Sequence, residues 1–275
     1  MTEARTYPHG VTSWIDVATT DVDAAIAFYG GLLGWTFEEA VPPGVPGRYV
    51  IARLDGRDAA AIAPLGDGET PAWRTYVAVD DCNATTKRLV GLGASLVDPP
   101  ADAGPGGRTS TLRDPEGAYL RLWQARARLG AQVSNEPGAW NFSNLKSRDV
   151  AAAGAWYAEA FGWRIVDQGW STSIQVPGYG DHLEATVDPD IRTRQAQAPD
   201  GFEDVIGGIL AAEGDDPHWH VVVTVADRDE AAAEVERLGG TVHDTHETDW
   251  ARAAEVGDPQ GARLTLSQFA PKDWD

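Results

Sequence analysis

An internal duplication constrains the fold of this chain more than any other feature of its sequence. Three segments recur in the same order: Phe28–Trp35 as Trp156–Trp163, Tyr76–Asp81 as Val222–Asp227, and Asp114–Gly117 as Asp258–Gly261. Matched segments in one order indicate a repeated architecture in which each half of the chain builds the same structure.

Each half reads as two similar modules of mixed secondary structure. Val11–Ala18 alternates like a half-buried strand, and Thr20 or Asp21 is placed to cap a helix that Gly34 ends. Three strands then follow, and the second module repeats the order, with its short strands near Ser95–Val97, Arg108–Arg113 and Ala118–Trp123. The sequence therefore predicts an α+β protein of four βαβββ modules, at residues 11–65, 72–124, 139–213 and 218–269.

Two irregular stretches interrupt these modules. Residues 125–138 lack strand alternation and predict a linker between a first domain at 1–124 and a second domain at 139–275. The start of this linker, Ala125–Leu129, could form a short helix. The stretch 187–204 is too long for a hairpin loop, so it is either a lid or binding loop, or a surface insertion without a role.

Charge and cysteine content limit the partners and the compartment. The 275 residues contain 42 acidic and 22 basic residues, a net charge of −20, which argues against nucleic acid or an anionic membrane as partner. A single cysteine allows no internal disulfide, and the first residues show no apolar leader, so we expect a cytoplasmic protein. Either a monomer or a homodimer is compatible with four modules.

The motif order resembles that of a known superfamily. Each half has an acidic helix start, an aromatic–Tyr pair within the helix, Gly-Trp at its end, and a closing Asp-Pro-x-Gly turn. This order, over about residues 11–269, resembles the vicinal oxygen chelate superfamily of glyoxalase I, extradiol dioxygenases and bleomycin-resistance proteins. Asp16–Ala25 and Val176–Asp181 look most like two-domain, glyoxalase-like proteins of actinobacteria. The resemblance implies paired modules that form two cup-shaped, glyoxalase-like domains.

The resemblance also implies where a divalent metal would bind. In metal enzymes of the superfamily, ligands lie early in the first strand and late in the last strand of each module. The first-strand positions here are Trp14, Arg74, Phe142 and His220, and the last-strand positions are Arg121 and Thr265. Of these six residues, only His220 has a side chain that commonly binds a divalent metal, and Glu213 is a possible neighbour. One or two ligands do not make a metal site, so we expect no cofactor. A divalent metal at His220 is the alternative.

A polar and aromatic set is predicted on one face of three strands in the first half. Its members are Trp14, Asp16, Arg74, Tyr76, Arg121 and Trp123. These side chains could clamp an acidic or aromatic ligand, with arginine as a bidentate donor. Alternatively, an ion pair between Asp16 and an arginine fills the interior of the cup-shaped domain, which we call the plug hypothesis. We favour this alternative because buried charges need partners.

The second half offers a further small-molecule site. Asn144, His220, Thr224, Thr265 and Ser267 are predicted on the inner face of its strands, with Tyr179, Asp181, His182, Arg192, Arg194 and Phe202 on the lid candidate. His220 is the candidate acid, base or ligand donor, against the alternative of a locally hydrogen-bonded structural histidine. His243 and His246 lie among acidic residues in what reads as an exposed connection, and a metal site there is a weaker possibility.

These features support two main hypotheses about function. The first is a metal-independent protein that binds an aromatic or polycyclic metabolite and acts by sequestration, as in drug resistance. The second is an enzyme of the same superfamily with its site in the second domain. It would be either a metal-dependent lyase or oxygenase, or a metal-free isomerase or cyclase in which His220 or an acidic residue of that domain transfers protons. A third hypothesis is an interaction protein whose cups are plugged.

Overall fold

The computed structural model describes residues 4–66, 68–168 and 171–272 of the chain. Residues 1–3, which contribute to the expectation that a leader is absent, lie outside this range. The first half contains β1 (Thr12–Thr19), α1 (Val22–Leu33), β2 (Thr36–Glu39), β3 (Val50–Leu54), β4 (Arg57–Pro64), β5 (Ala72–Ala78), α2 (Cys82–Gly91), β6 (Ser95–Ala103), β7 (Gly107–Arg113) and β8 (Tyr119–Ala125).

The second half repeats this order with an insertion between two strands. It contains β9 (Trp140–Ser147), α3 (Val150–Phe161), β10 (Arg164–Asp167), β11 (Thr172–Gln175), α4 (Tyr179–Thr186), α5 (Ile191–Arg194), a 3₁₀ helix (Phe202–Asp204), β12 (Val205–Ala211), β13 (His218–Thr224), α6 (Arg228–Arg237), β14 (Thr241–Glu247), β15 (Ala251–Gly257) and β16 (Arg263–Phe269). Among the described residues, no helix is long and apolar enough to cross a membrane.

The strands form two mixed sheets with the same topology. The first sheet has the order β2-β3-β4-β1-β5-β8-β7-β6, and the second has the order β10-β11-β12-β9-β13-β16-β15-β14. The first and last strands of each module pair in parallel, as β1 does with β4 and β13 with β16. Each half thus contributes one sheet, and the predicted α+β class is confirmed.

The predicted helix boundaries follow from local capping. The Asp21 carboxylate accepts a 3.0 Å hydrogen bond from the amide of Ala24, and the Asp149 carboxylate accepts one from Ala152 at the start of α3. Gly34 ends α1 in the left-handed conformation, with φ of 70°. Capping of this kind satisfies amides that the first helical turn leaves unpaired.

Three sequence predictions needed correction. The predicted short helix at Ala125–Leu129 is wrong, because β8 extends to Ala125 and backbone hydrogen bonds then hold Arg126 and Arg128 to Gly106. The strand predicted near Ser95–Val97 continues to Ala103, through two prolines that an exposed outermost strand tolerates. His243 and His246 lie on strand β14 rather than in a connection.

Contacts between Cα atoms divide the chain into two compact units. The first unit contains the chain up to Trp14, Thr75–Gly130 and Ser143–Trp219; the second contains Ile15–Arg74, Ala131–Phe142 and the chain from His220 onward. The first unit therefore combines most of the second and third modules, and the second unit combines most of the first and fourth.

A hydrogen-bonded Trp–Tyr–Asp network closes the first unit. The hydroxyl of Tyr157 on α3 donates to Oδ2 of Asp114 at 3.0 Å, and Nε1 of Trp219 donates to the same hydroxyl at 3.3 Å. Oδ1 of Asp114 accepts the amides of the turn that joins β7 to β8, including those of Glu116 and Gly117. A tyrosine motif of one module thus binds the turn motif of another.

The second unit contains the same network at the matching positions. Tyr29 on α1 donates to Oδ2 of Asp258 at 2.9 Å and accepts from Nε1 of Trp73 at 3.1 Å. Both tyrosine side chains are fully buried, so hydrogen bonding offsets the cost of burying their hydroxyls. The duplicated sequence motifs are therefore contact residues within each unit.

Candidate functional site

The first unit presents an aromatic corner on one face of β5 and β8. Leu122 of β8 belongs to the same core cluster as Leu89 of α2, so the alternate residues of β8 lie on the opposite face. Arg121 and Trp123 lie on this opposite face, and Tyr76 of β5 is the register partner of Arg121. The rings of Tyr76 and Trp123 meet edge to face, with centroids 6.5 Å apart at 86°. We call this surface the Trp123 face.

The Trp123 ring is held in place by backbone on two sides. Its Nε1 donates a 3.0 Å hydrogen bond to the carbonyl oxygen of Arg128. A Cβ added to Gly107 of β7 would lie 2.6 Å from the ring and 2.6 Å from the carbonyl oxygen of Gln124. Gly107 therefore allows the indole to lie against the neighbouring strand, a role that the sequence pattern did not indicate.

Two arginines flank a tyrosine at the turn end of the Trp123 face. Tyr119 of β8 alternates with Arg121 and Trp123 and is the register partner of Arg113 on β7. The guanidinium carbon of Arg113 lies 4.4 Å from the Tyr119 ring centroid, and that of Arg121 lies 5.4 Å away. Sequence reasoning missed Arg113 and Tyr119, although the predicted Asp-Pro-Glu-Gly hairpin already implied that they face each other.

The second unit contains the ion pair that the plug hypothesis predicts. Asp16 is fully buried, accepts a 3.1 Å hydrogen bond from the Tyr49 hydroxyl, and lies 3.5 Å from Nη1 of Arg74. Arg74 also pairs with Glu69 through Nη2. A buried carboxylate with these partners is stabilised where it lies, which is the arrangement expected of a structural cluster.

A buried imidazole and hydroxyl pair is the strongest acid–base candidate. His220 on β13 and Thr265 on β16 are 7% and 9% exposed, and Nε2 of His220 lies 2.8 Å from Oγ1 of Thr265. Glu255 on β15 is the register partner of Thr265, and its carboxylate lies 3.3 Å from Nη2 of Arg263. His220 and Thr265, both predicted site residues, are therefore in contact. Glu255 on the neighbouring strand adds a carboxylate that the sequence analysis did not select.

Tyr179 and His182, predicted on the lid candidate, contact the N-terminal segment of the first unit. The Tyr179 hydroxyl accepts a 3.2 Å hydrogen bond from Arg5, and Nε2 of His182 lies 3.1 Å from the carbonyl oxygen of Thr6. Tyr7 lies beside Arg5, and burial raises the pKa of its phenol well above the usual value. Both lid residues therefore have partners within the fold.

The lid candidate is an ordered helical insertion. Arg192 of α5 pairs with Asp181, Glu184 and Glu203, and the Asp204 carboxylate accepts a 2.8 Å hydrogen bond from the amide of Gly180 at the start of α4. The prediction that residues 187–204 are irregular was therefore wrong, because α5 and the 3₁₀ helix lie within this stretch. Sequence reasoning also missed α4, whose start is capped by a carboxylate 24 residues further along the chain.

Two further candidates, Asn144 and Trp14, lie in the first unit. Oδ1 of Asn144 on β9 accepts a 2.8 Å hydrogen bond from the amide of Gly208 on β12. Trp14, at the middle of β1, is 8% exposed and belongs to the apolar interior. Neither observation tests binding, so both residues stay predictions as ligand contacts.

Candidate metal ligands form no group of three among the residues that the structure describes. Within residues 4–66, 68–168 and 171–272, no three His, Cys, Asp or Glu side chains come close enough to hold a metal ion together. His220 has a threonine hydroxyl as its hydrogen-bond partner, and Nδ1 of His246 has one carboxylate, that of Asp244, at 3.7 Å. A catalytic zinc or manganese site uses about three protein ligands, which these sets do not supply.

Comparison with known proteins matches both halves of the chain to one family model. The model of the glyoxalase-like domain matches residues 14–123 and again residues 142–267. CFP32 of Mycobacterium bovis, a protein provisionally named a glyoxylase, is 32% identical over 99% of this chain and 100% of its own length. The anthracycline biosynthesis protein DnrV of Streptomyces peucetius is 30% identical over 94% of each chain.

Solved structures share the fold at low sequence identity. The Mn(II)-bound glyoxalase of Novosphingobium aromaticivorans superposes with a TM-score of 0.61 at 12% identity, over 98% of this chain and 83% of the other. The 2,3-dioxygenase LapB of Pseudomonas sp. KL28 gives 0.59 at 15% identity, over 97% and 98%. The structural likeness shows a shared fold. The two matches to the glyoxalase-like model confirm the predicted superfamily, and the chain belongs to the family of proteins built from glyoxalase-like domains.

Proposed function

We propose that this protein binds an aromatic or polycyclic small molecule on the Trp123 face, without a metal, and acts by sequestration. The observation that carries the proposal is the edge-to-face corner of Tyr76 and Trp123. Small-molecule sites combine aromatic surface with a few polar groups, and here Arg121 supplies the polar group beside the corner. The relative named for anthracycline biosynthesis supports a polycyclic ligand, because anthracyclines contain fused rings.

Calorimetric titration with a series of neutral aromatic amides tests this proposal. Benzamide, 2-naphthamide and anthracene-2-carboxamide differ only in ring number, so affinity should rise along the series as more apolar surface is buried. Replacing Trp123 with leucine should weaken 2-naphthamide binding by about three- to tenfold, the usual value of one aromatic contact. Equal weak affinity for all three amides would contradict the proposal.

Matched controls separate loss of the site from loss of the fold. Trp156 of α3 also donates its Nε1 to a carbonyl oxygen, that of Leu92, but lies outside the Trp123 face. W156L should therefore bind 2-naphthamide as the native protein does. Titration with EDTA and then with Mn²⁺ should leave the affinity unchanged, and chromatography after incubation should return the probe intact. A requirement for metal would remove the metal-independent part of the proposal.

The buried His220–Thr265 pair favours a second candidate function, a metal-free acid–base enzyme. The 2.8 Å contact fixes the orientation of the imidazole, and an oriented imidazole can act as a general acid or base. A probe with an acidic C–H bond, 2-tetralone, would test this in D₂O by mass spectrometry. Faster deuterium incorporation that H220Q abolishes would support catalysis, and no acceleration by the native protein would reject it for this class of carbon acid.

A further inference from the structure

The turn end of the Trp123 face concentrates positive charge around one aromatic ring. Arg113 lies 4.4 Å from the Tyr119 ring centroid, and its Nη2 donates a 2.5 Å hydrogen bond to the Tyr119 hydroxyl. Arg121 contacts the same ring at 5.4 Å. Cation–π contacts of this kind hold guanidinium groups in place without neutralising them.

This cluster is unusual for so acidic a chain. The protein carries a net charge of −20, and most of its exposed arginines pair with carboxylates, as Arg148 does with Asp216 at 2.5 Å. Arg113 forms no ion pair with any of the other residues that the structure describes, which are residues 4–66, 68–168 and 171–272. The partners of its guanidinium are a π face and a phenol, which carry no negative charge, so its positive charge and further N–H donors are left for an anion.

The cluster and the aromatic corner share one surface. Tyr119, Arg121 and Trp123 alternate along β8, so their side chains point to the same side of the strand. Tyr76 pairs with Arg121 in register and contacts the Trp123 ring, so Arg121 stands between the aromatic corner and Tyr119. A flat ligand with its rings at the corner would direct a substituent along β8 toward Arg113.

We propose that the ligand is an aromatic carboxylate whose acid group is bound by Arg113, beside Tyr119 and Arg121. The proposal rests on the proposed function, because the same face is assumed to hold the aromatic rings. A guanidinium fork matches the two oxygens of a carboxylate, and hydrogen bonds to a charged group are about twice as strong as neutral ones. The residue that sets this specificity is Arg113, which the sequence analysis did not select.

Calorimetric titration with 2-naphthoate and 2-naphthamide tests the inference. The two probes share the ring system and nearly the same shape, and differ in charge. The native protein should bind the carboxylate about tenfold more tightly than the amide, since one charge-assisted contact discriminates by that order. This preference should shrink as salt rises, because the site is partly exposed.

Variants assign the preference to Arg113. R113Q should reduce 2-naphthoate affinity by about tenfold and leave 2-naphthamide affinity within twofold. Y119F, which keeps the ring and removes the hydroxyl that Arg113 binds, should give a smaller loss for the carboxylate. R148Q removes an equal charge from a surface ion pair in the same unit and should change neither affinity.

The outcomes distinguish the inference from the proposed function. If both probes bind equally and R113Q changes neither, aromatic binding stands and the carboxylate inference falls. If 2-naphthamide binds more tightly than 2-naphthoate, the cluster does not attract an anion and the inference is again wrong. If the native protein binds neither probe, both the proposed function and the inference are rejected.

Discussion

The hydroxyl of Tyr157 on α3 donates a 3.0 Å hydrogen bond to Asp114, the carboxylate that organises the turn between β7 and β8. Burial raises the pKa of Tyr157 well above its usual value, so the phenol stays protonated and remains a donor. Tyr29 and Asp258 repeat this relationship in the second unit at 2.9 Å. Two motifs that are far apart in the sequence are therefore the two halves of one contact.

Removing either hydroxyl should destabilise the protein. Y157F and Y29F should each lower the free energy of unfolding by about 1.5–3 kcal/mol, because each leaves a buried carboxylate without one donor. Urea denaturation followed by circular dichroism measures the loss. S95A, a hydroxyl deletion on exposed strand β6, should lose less than about 0.5 kcal/mol. Equal stability of Y157F and S95A would show that the contact contributes little.

Filling the space at Gly107 should disturb the Trp123 face without unfolding the chain. In G107A the new methyl group would lie 2.6 Å from the Trp123 ring, so the indole must move and 2-naphthamide affinity should fall severalfold. Gly91, the last residue of α2, has open space around its Cβ position. G91A should therefore keep the affinity and gain up to about 1 kcal/mol of stability. Unchanged binding by G107A would separate Trp123 from the site.

Asp204 should control the stability of α4 rather than of the whole chain. D204A removes the acceptor for the amides of Gly178 and Gly180, and loss of such a cap costs about 0.5–2 kcal/mol. Hydrogen exchange measured by mass spectrometry should show faster exchange in Tyr179–Thr186 and little change in the two sheets. D200A, at an exposed position in the same insertion, is the control. Uniform acceleration across the chain would contradict a local role.

The His220–Thr265 contact should appear as a measurable coupling energy. Because both residues are buried, H220A is expected to lower the melting temperature, unlike substitution of an exposed binding residue. H220A, T265A and the double variant should give a coupling of about 0.5–1.5 kcal/mol in urea denaturation. Additive losses would mean that the 2.8 Å contact contributes nothing to stability.

The ion pair of Arg57 and Glu136 should contribute to stability at neutral pH and lose its effect in acid. Hydrogen bonds of 3.0 and 2.8 Å from Arg57 lower the pKa of Glu136 below its usual value. A carboxyl with a lowered pKa in the folded state stabilises the fold above its ordinary pKa, and this effect is lost as pH falls through the folded value. In R57Q the pKa of Glu136 should rise, which carboxyl NMR titration measures. An unchanged pKa would contradict the assignment.

The sequence by itself determined the repeated modules, the ends of the duplicated helices α1 and α3, and the superfamily. These features depend on neighbours along the chain: Asp21 caps α1 through an amide three residues away, and period-two alternation assigns Arg121 and Trp123 to one face of β8. A duplicated order of such local signals is enough to specify fold class.

Tertiary structure alone decided which candidates meet. The pairing of His220 with Thr265 joins residues 45 positions apart, and the Asp204 cap on α4 comes from 24 positions away. Packing also placed Tyr179 against Arg5 and made Gly107 the support of the Trp123 ring. Such contacts depend on strand register and on the space between strands, which local sequence patterns do not encode.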